Sequence, residues 1–183
     1  MTYTLDEIKQ KVKQSLHELW HNDKHLLKVD ANERSITHRL AIYIEREFRE
    51  YNVDCEYNRE GNDTKRYREI IGKINKAGIS ADDTEAKTAF PDIIIHKRGN
   101  NEDNLLVIEV KKYCGNHTEI DEKDKSKLEA FTAQNQFRYK YGIALQIPVN
   151  GKSTARLWWF AQGKEISSEP DCYDISDGLE CKR

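Results

Sequence analysis

Three residues in two apolar segments have side chains that could do chemistry together: Asp92 in PDIIIHK, and Glu109 with Lys111 in NLLVIEVKK. Both segments read as core strands, because Ile, Leu and Val run on continuously, which suits a sheet covered on both faces. Alternate strand residues share a side, so Glu109 and Lys111 project together about 6.6 Å apart along the backbone while Val110 points the other way. If PDIIIHK pairs with the second strand, Asp92 at its mouth brings another carboxylate to the same point. Two close carboxylates repel, and one takes up a proton unless a divalent cation lies between them. Mg2+ (or Mn2+) suits such a place, since one or two carboxylates plus waters and a substrate phosphate complete its octahedron. That cation would acidify an attacking water, and Lys111 would orient the water and stabilise the negative transition state. The chemistry expected is phosphodiester hydrolysis. The plainer reading of EVKK, a strand leaving the core to meet water, loses weight once Asp92 is placed beside it.

Two other motifs compete. HELWH at 17–21 spells the two-histidine zinc signature of metallopeptidases, in which the glutamate serves as base beside a metal-bound water. At about 100° per residue, however, His17, Glu18 and His21 fall opposite the stripe of Leu5, Leu16 and Leu27, so the sequence predicts a solvated helix face. His25 continues the four-residue spacing of that polar face. NGKST at 150–154 ends like a phosphate-binding loop, but Gln146 stands where the signature needs its first glycine. Asn-Gly between two apolar runs predicts a hairpin instead.

The elements that must position these residues follow from periodicity. Leu5, Ile8, Val12, Leu16, Leu19, Trp20 and Leu27 mark a helix over about 4–27. A second helix has Asp30 as expected N-cap and a stripe of Ile36, Leu40, Tyr43, Ile44 and Phe48. VDCEYNR alternates like a strand, KRYREIIGKINKAG could hold a short helix, and DEKDKSKLEAFTAQNQFRYKY reads as a third long helix. GIALQIPV and ARLWWFA close a hairpin, and the last twenty or so residues read as a polar tail. Alternating helices and buried strands imply an α/β layered domain. The 183 residues suit a single domain, divided as a helical extension (1–29), a core (30–162) and the tail (163–183). Net charge is −2 with 34% charged residues, so any nucleic-acid partner must be held by a local patch. No signal peptide or membrane span is evident, and Cys55, Cys114, Cys172 and Cys181 are too scattered for a zinc ribbon or disulfide framework. A cytoplasmic protein with reduced thiols is expected.

Pro91-Asp92, sixteen intervening residues and then Glu109-Val110-Lys111 resemble the active-site motif of the PD-(D/E)XK nuclease superfamily, the restriction-endonuclease-like fold. The resemblance extends over roughly residues 30–149 as helix, strand, PD strand, ExK strand, helix, strand. It implies a central mixed sheet of four to five strands flanked by helices, with an extra N-terminal helix, and a metal-dependent nuclease acting on DNA. Many members carry a metal-binding glutamate on the first core helix. Glu33 fills that place, although three residues after Asp30 it also fits a capping box. Glu47 is held in reserve and Glu56, on the preceding strand, could face the same site. The following helix lines the substrate groove in the family, which makes Asp124, Lys127, Gln134, Gln136 and Tyr139 candidates. Lys65, Arg66, Arg68, Lys73 and Lys76 would contact backbone phosphates, and cutting two strands implies a homodimer. The chain departs from the family in an insertion of about thirty residues before PD and in its first helix. A nuclease-like module that binds without cutting is the alternative, with the zinc hydrolase behind it.

Overall fold

The computed structural model describes residues 3–57, 90–99, 102–115, 119–134 and 137–180. Helix α1 (Leu5–Lys28) starts where Thr4 and Glu7 form a capping box, and it buries Ile8, Val12, Leu16, Leu19 and Leu27. Asp23 interrupts its helical geometry (φ −125°), and the Asp23 carboxylate accepts hydrogen bonds from Arg39 and Tyr43 of α2 (Glu33–Glu47). Asn32, not Asp30, caps α2 through a bond from the Ser35 N–H to its side chain. Asp30 instead lies in the turn at φ 52° and accepts from the Lys112 ammonium at 2.7 Å.

Eight strands among the described residues form one mixed sheet: β1 (Asn52–Cys55), β2 (Ile93–His96), β3 (Leu106–Tyr113), β4 (Tyr141–Pro148), β5 (Thr154–Ala161), β6 (Lys164–Glu165), β7 (Asp171–Asp174) and β8 (Leu179–Glu180). Their order is β1-β2-β3-β4-β5-β7-β8, with β6 paired to β5. Only β3 and β4 run parallel, joined by a crossover through α3 (Glu122–Thr132), as a parallel pair requires. Helices α1 and α2 cover one face over Ile108, Val110, Ile143, Leu145 and Trp159, while α3 covers Ile94, Val107, Ala144, Trp158 and Phe160 on the other. The uninterrupted apolar run of β3 is thus explained by two covered faces.

The α/β class holds, and the sheet is larger than the four to five strands expected. The expected polar tail supplies β6, β7 and β8, because Tyr173 and Ile175 bury against the α1 side and β7 takes the open edge of β5. The third helix ends at Thr132 rather than near residue 141. Ala133 turns extended and the chain doubles back, the Tyr139 N–H bonding to the Phe131 carbonyl at 3.1 Å, so that Phe137 and Tyr139 pack on Phe131. The β4–β5 hairpin turns through Asn150 and Gly151, both at positive φ (56° and 83°), a conformation in which those two residue types are least strained.

Where α3 crosses β4 there is no room for a side chain: a Cβ on Gly142 would lie 3.1 Å from Thr132, 3.2 Å from Leu128 and 3.3 Å from Phe160. Gly142→Val should therefore lower stability by about 1–3 kcal/mol through overpacking, measured as an earlier urea midpoint. An unchanged midpoint would mean that α3 sits less tightly on the sheet.

Candidate active site

The strand register brings the acidic residues together. Ile93 lies opposite Ile108 in the antiparallel β2–β3 pair, and one step further Asp92 falls beside Glu109. The Asp92 carboxylate accepts from the Val110 N–H at 2.7 Å, and its carbonyl accepts from the Glu56 N–H at 3.2 Å. Asp92 and Glu109 continue the side of their strands that carries Ile94 and Val107, so both belong to the face covered by α3. Val110 is buried on the opposite face.

Asp92, Glu109 and Lys111 line a cleft of about 440 Å3 with Glu33, Thr37 and His38 of α2, Cys55 at the end of β1 and Glu56 just beyond it, and Lys123, Asp124 and Lys127 of α3. Lys111 is half-exposed, its ammonium 3.9 Å from Glu33 and 3.7 Å from Asp124. Glu33 stands at the start of α2 and accepts from the Lys112 N–H at 3.1 Å, which ties the helix to the end of β3. Glu109 is 2% exposed. One of its oxygens accepts from Lys127 at 2.9 Å, and the other is buried with no hydrogen-bond partner. The Thr37 hydroxyl, on the α2 wall, is likewise buried and unpartnered.

Burial dominates the electrostatics. It pushes Glu109 up to about 8 against the pull of the Lys127 ammonium, with the carboxylates of Asp92 and Asp124 adding to the rise. Burial also raises Asp92 and Asp124 above the ordinary carboxyl range, opposed by the Val110 N–H in one case and by Lys111 in the other. Burial alone would lower Lys111, but Asp124, Glu33 and Asp92 hold it above the usual lysine value. Lys111 is therefore a fixed cation: it can donate to an anion and cannot serve as a base at neutral pH.

Four sequence candidates, Glu33, Asp92, Glu109 and Lys111, line this cleft, as does Glu56. Glu56 sits at φ 47° and is paired with Arg34 at 2.9 Å. Glu47 lies at the far end of α2, where its carbonyl accepts from Lys11, and does not line the cleft. Asp124 lines it; Lys127 does too, but as a buried partner of Glu109 rather than an open groove lysine. Tyr139 belongs to the core under α3, and Gln134 is exposed beyond the helix. Lys65, Arg66, Arg68, Lys73, Lys76, Gln136 and Cys181 lie outside the described residues. Cys55, Cys114 and Cys172 are free thiols. Thr37 was not anticipated, although it follows Glu33 by four residues and so shares its side of α2.

The histidines of HELWH do not form a cavity. His17 is half-buried rather than solvated, its Nδ1 3.1 Å from the Ile175 carbonyl, because the β7 segment folds over α1; His21 is exposed and packs edge-on against it. Among the described residues, no group of three His, Cys, Asp or Glu side chains is placed to hold a metal ion. The carboxylates that could hold a hard cation are the smaller set, Asp92 and Glu109, the latter with one oxygen that has no hydrogen-bond partner. No helix among the described residues is long and apolar enough to cross a membrane. No family model, curated protein or solved structure matches the chain.

Proposed function

We propose that this chain is a Mg2+- or Mn2+-dependent nuclease that hydrolyses phosphodiester bonds, with DNA the favoured substrate. The observation that carries the reading is a fully buried glutamate with one oxygen unpartnered, facing an aspartate across adjacent strands and sharing a strand side with a fixed ammonium. Buried carboxylates are unfavourable without positive charge nearby; Lys127 donates to one Glu109 oxygen, and the second, unpartnered oxygen supports the reading that a further cation binds there. The resemblance of Pro91-Asp92 and Glu109-Val110-Lys111 to the PD-(D/E)XK motif points the same way.

Asp92 and Glu109 would hold the ion, with Glu33 nearest the Lys111 end. When bound, it would supply Lewis acidity toward the attacking water and the phosphate. Lys111 places its ammonium where negative charge develops on the phosphate, a donor oriented beforehand by Glu33 and Asp124. The Val110 N–H orients Asp92, and α3 shields Glu109 from water. A homodimer would provide two such sites for two strands.

A second reading draws on Lys127, whose ammonium already donates to one Glu109 oxygen: a nuclease-like module that binds nucleic acid without cutting it. Both readings face one assay, in which purified protein is incubated with single- and double-stranded DNA and RNA, with and without Mg2+ or Mn2+, beside Asp92→Ala and Lys111→Ala. Metal-dependent cleavage lost in both variants is expected. Cleavage that survives them removes the assignment, and binding without cleavage selects the second reading.

A further inference from the structure

Lys127 has no role in the reaction just described, yet it is the cation closest to the central carboxylate. It is 7% exposed, with its ammonium 2.9 Å from Glu109 and 3.9 Å from Asp124, one turn earlier on α3. A buried ion pair retained purely for structure is expected to have its remaining lone pairs satisfied. Here the second Glu109 oxygen has no partner, and both residues line the cleft.

We propose that Lys127 is a displaceable stand-in for the metal: without a divalent ion its ammonium occupies one Glu109 oxygen as a hydrogen-bond donor, and an ion that engages Glu109, displacing any proton the carboxyl holds, drives it toward Asp124 and the substrate phosphate. The inference rests on the nuclease reading of the same cleft. Two cations crowd one carboxylate, and the divalent one wins because its charge is larger and its preference for carboxylate oxygen stronger. The four-carbon stem lets the ammonium move without shifting the helix, and Asp124 is already within ion-pair range. Lys127 thus becomes a positioning residue that sets metal affinity and then supplies a second positive charge beside Lys111.

The test is Mn2+ titration by calorimetry, with no nucleic acid present, on wild type, Glu109→Gln, Lys127→Met, Lys127→Gln and Lys111→Met. Glu109→Gln should lose binding. Both Lys127 variants should bind Mn2+ about tenfold tighter. Lys111→Met, whose lysine is ion-paired to Glu33 and Asp124, should shift affinity by less than about threefold. A wild-type readout runs beside these: acetylation of Lys127, followed by mass spectrometry, should quicken when Mn2+ is added. Unchanged or weaker affinity in folded Lys127 variants overturns the proposal, and so does an unchanged acetylation rate if those variants fail to fold. If wild type binds no Mn2+, or Glu109→Gln binds it equally well, the nuclease reading itself falls; loss in Glu109→Gln with no effect of Lys127 sinks the stand-in alone.

Discussion

Under the proposed nuclease function, Glu109→Gln should lower cleavage by about 10³-fold or more, and it should make the protein less sensitive to alkaline pH. The amide keeps the shape and can still accept from Lys127, but it cannot offer a charged oxygen to a cation. If the ion contributes on the order of 4 kcal/mol of transition-state stabilisation, its loss is worth about 10³ in rate. Stability should move the other way. The folded Glu109 carboxyl titrates near 8, above its ordinary value of 4.5, so the folded state holds a proton that the unfolded chain has released. That contribution is fully present below about pH 4.5 and is lost as pH rises through about 8, at a slope of up to about 1.4 kcal/mol per pH unit. The glutamine variant removes one proton's share of the slope; Asp92 and Asp124, also raised by burial, leave the rest. Urea unfolding at intervals from pH 5 to 8.5 measures it, and equal slopes in wild type and variant would show that Glu109 titrates normally. Mn2+ should raise the melting temperature of wild type and leave Glu109→Gln where it was, since only an ion bound by the folded state stabilises it.

Under the same proposed function, Lys111→Met is expected to lower the cleavage rate by about 10²–10³-fold, the usual cost of removing one preorganised donor from a developing anion. Its stability should change little. Lys111 is half-exposed and its ion pairs, at 3.7 and 3.9 Å, are long, so the loss should stay within about 1 kcal/mol. A large fall in rate with a nearly unchanged melting temperature separates a catalytic role from a structural one. A variant that cuts at the wild-type rate would remove Lys111 from the reaction, and one that fails to fold would make it part of the scaffold. Substitution by arginine should not restore the rate, because the planar guanidinium presents its donors in a different geometry from a compact ammonium.

Much of the frame was legible because it depends on local pattern. The stripe from Leu5 to Leu27 marks α1 to within a residue of Leu5–Lys28, and continuous apolar runs identify β2, β3, β4 and β5. The pairing that sets Asp92 beside Glu109 was conditional on two strands being neighbours, and the register supplies it. Short elements were missed for a physical reason. The strands β6, β7 and β8 span two to four residues each, too few for alternation to rise above composition; β6 and β7 form by completing the edge of β5, and β8 by pairing with β7. The early end of α3 was hidden likewise, since Phe137 and Tyr139 continue an apolar pattern that serves packing on Phe131 rather than further helix.

The amino-acid order by itself determined which residues could act: two carboxylates and an ammonium on strand-forming segments, with Glu109 and Lys111 committed to one side by the two-residue period of a strand. It also determined that HELWH lies on a helix with Leu19 on the apolar stripe and both histidines off it. Only the tertiary structure decided how charged those groups are and what stands against them. Lys127 looks like one more lysine of a polar helix until α3 is laid across β3, where the covering layer removes water from Glu109 and leaves Lys127 as its nearest counter-charge. Periodicity is a property of neighbours along the chain; the cost of burying a charge depends on what other segments bring to it.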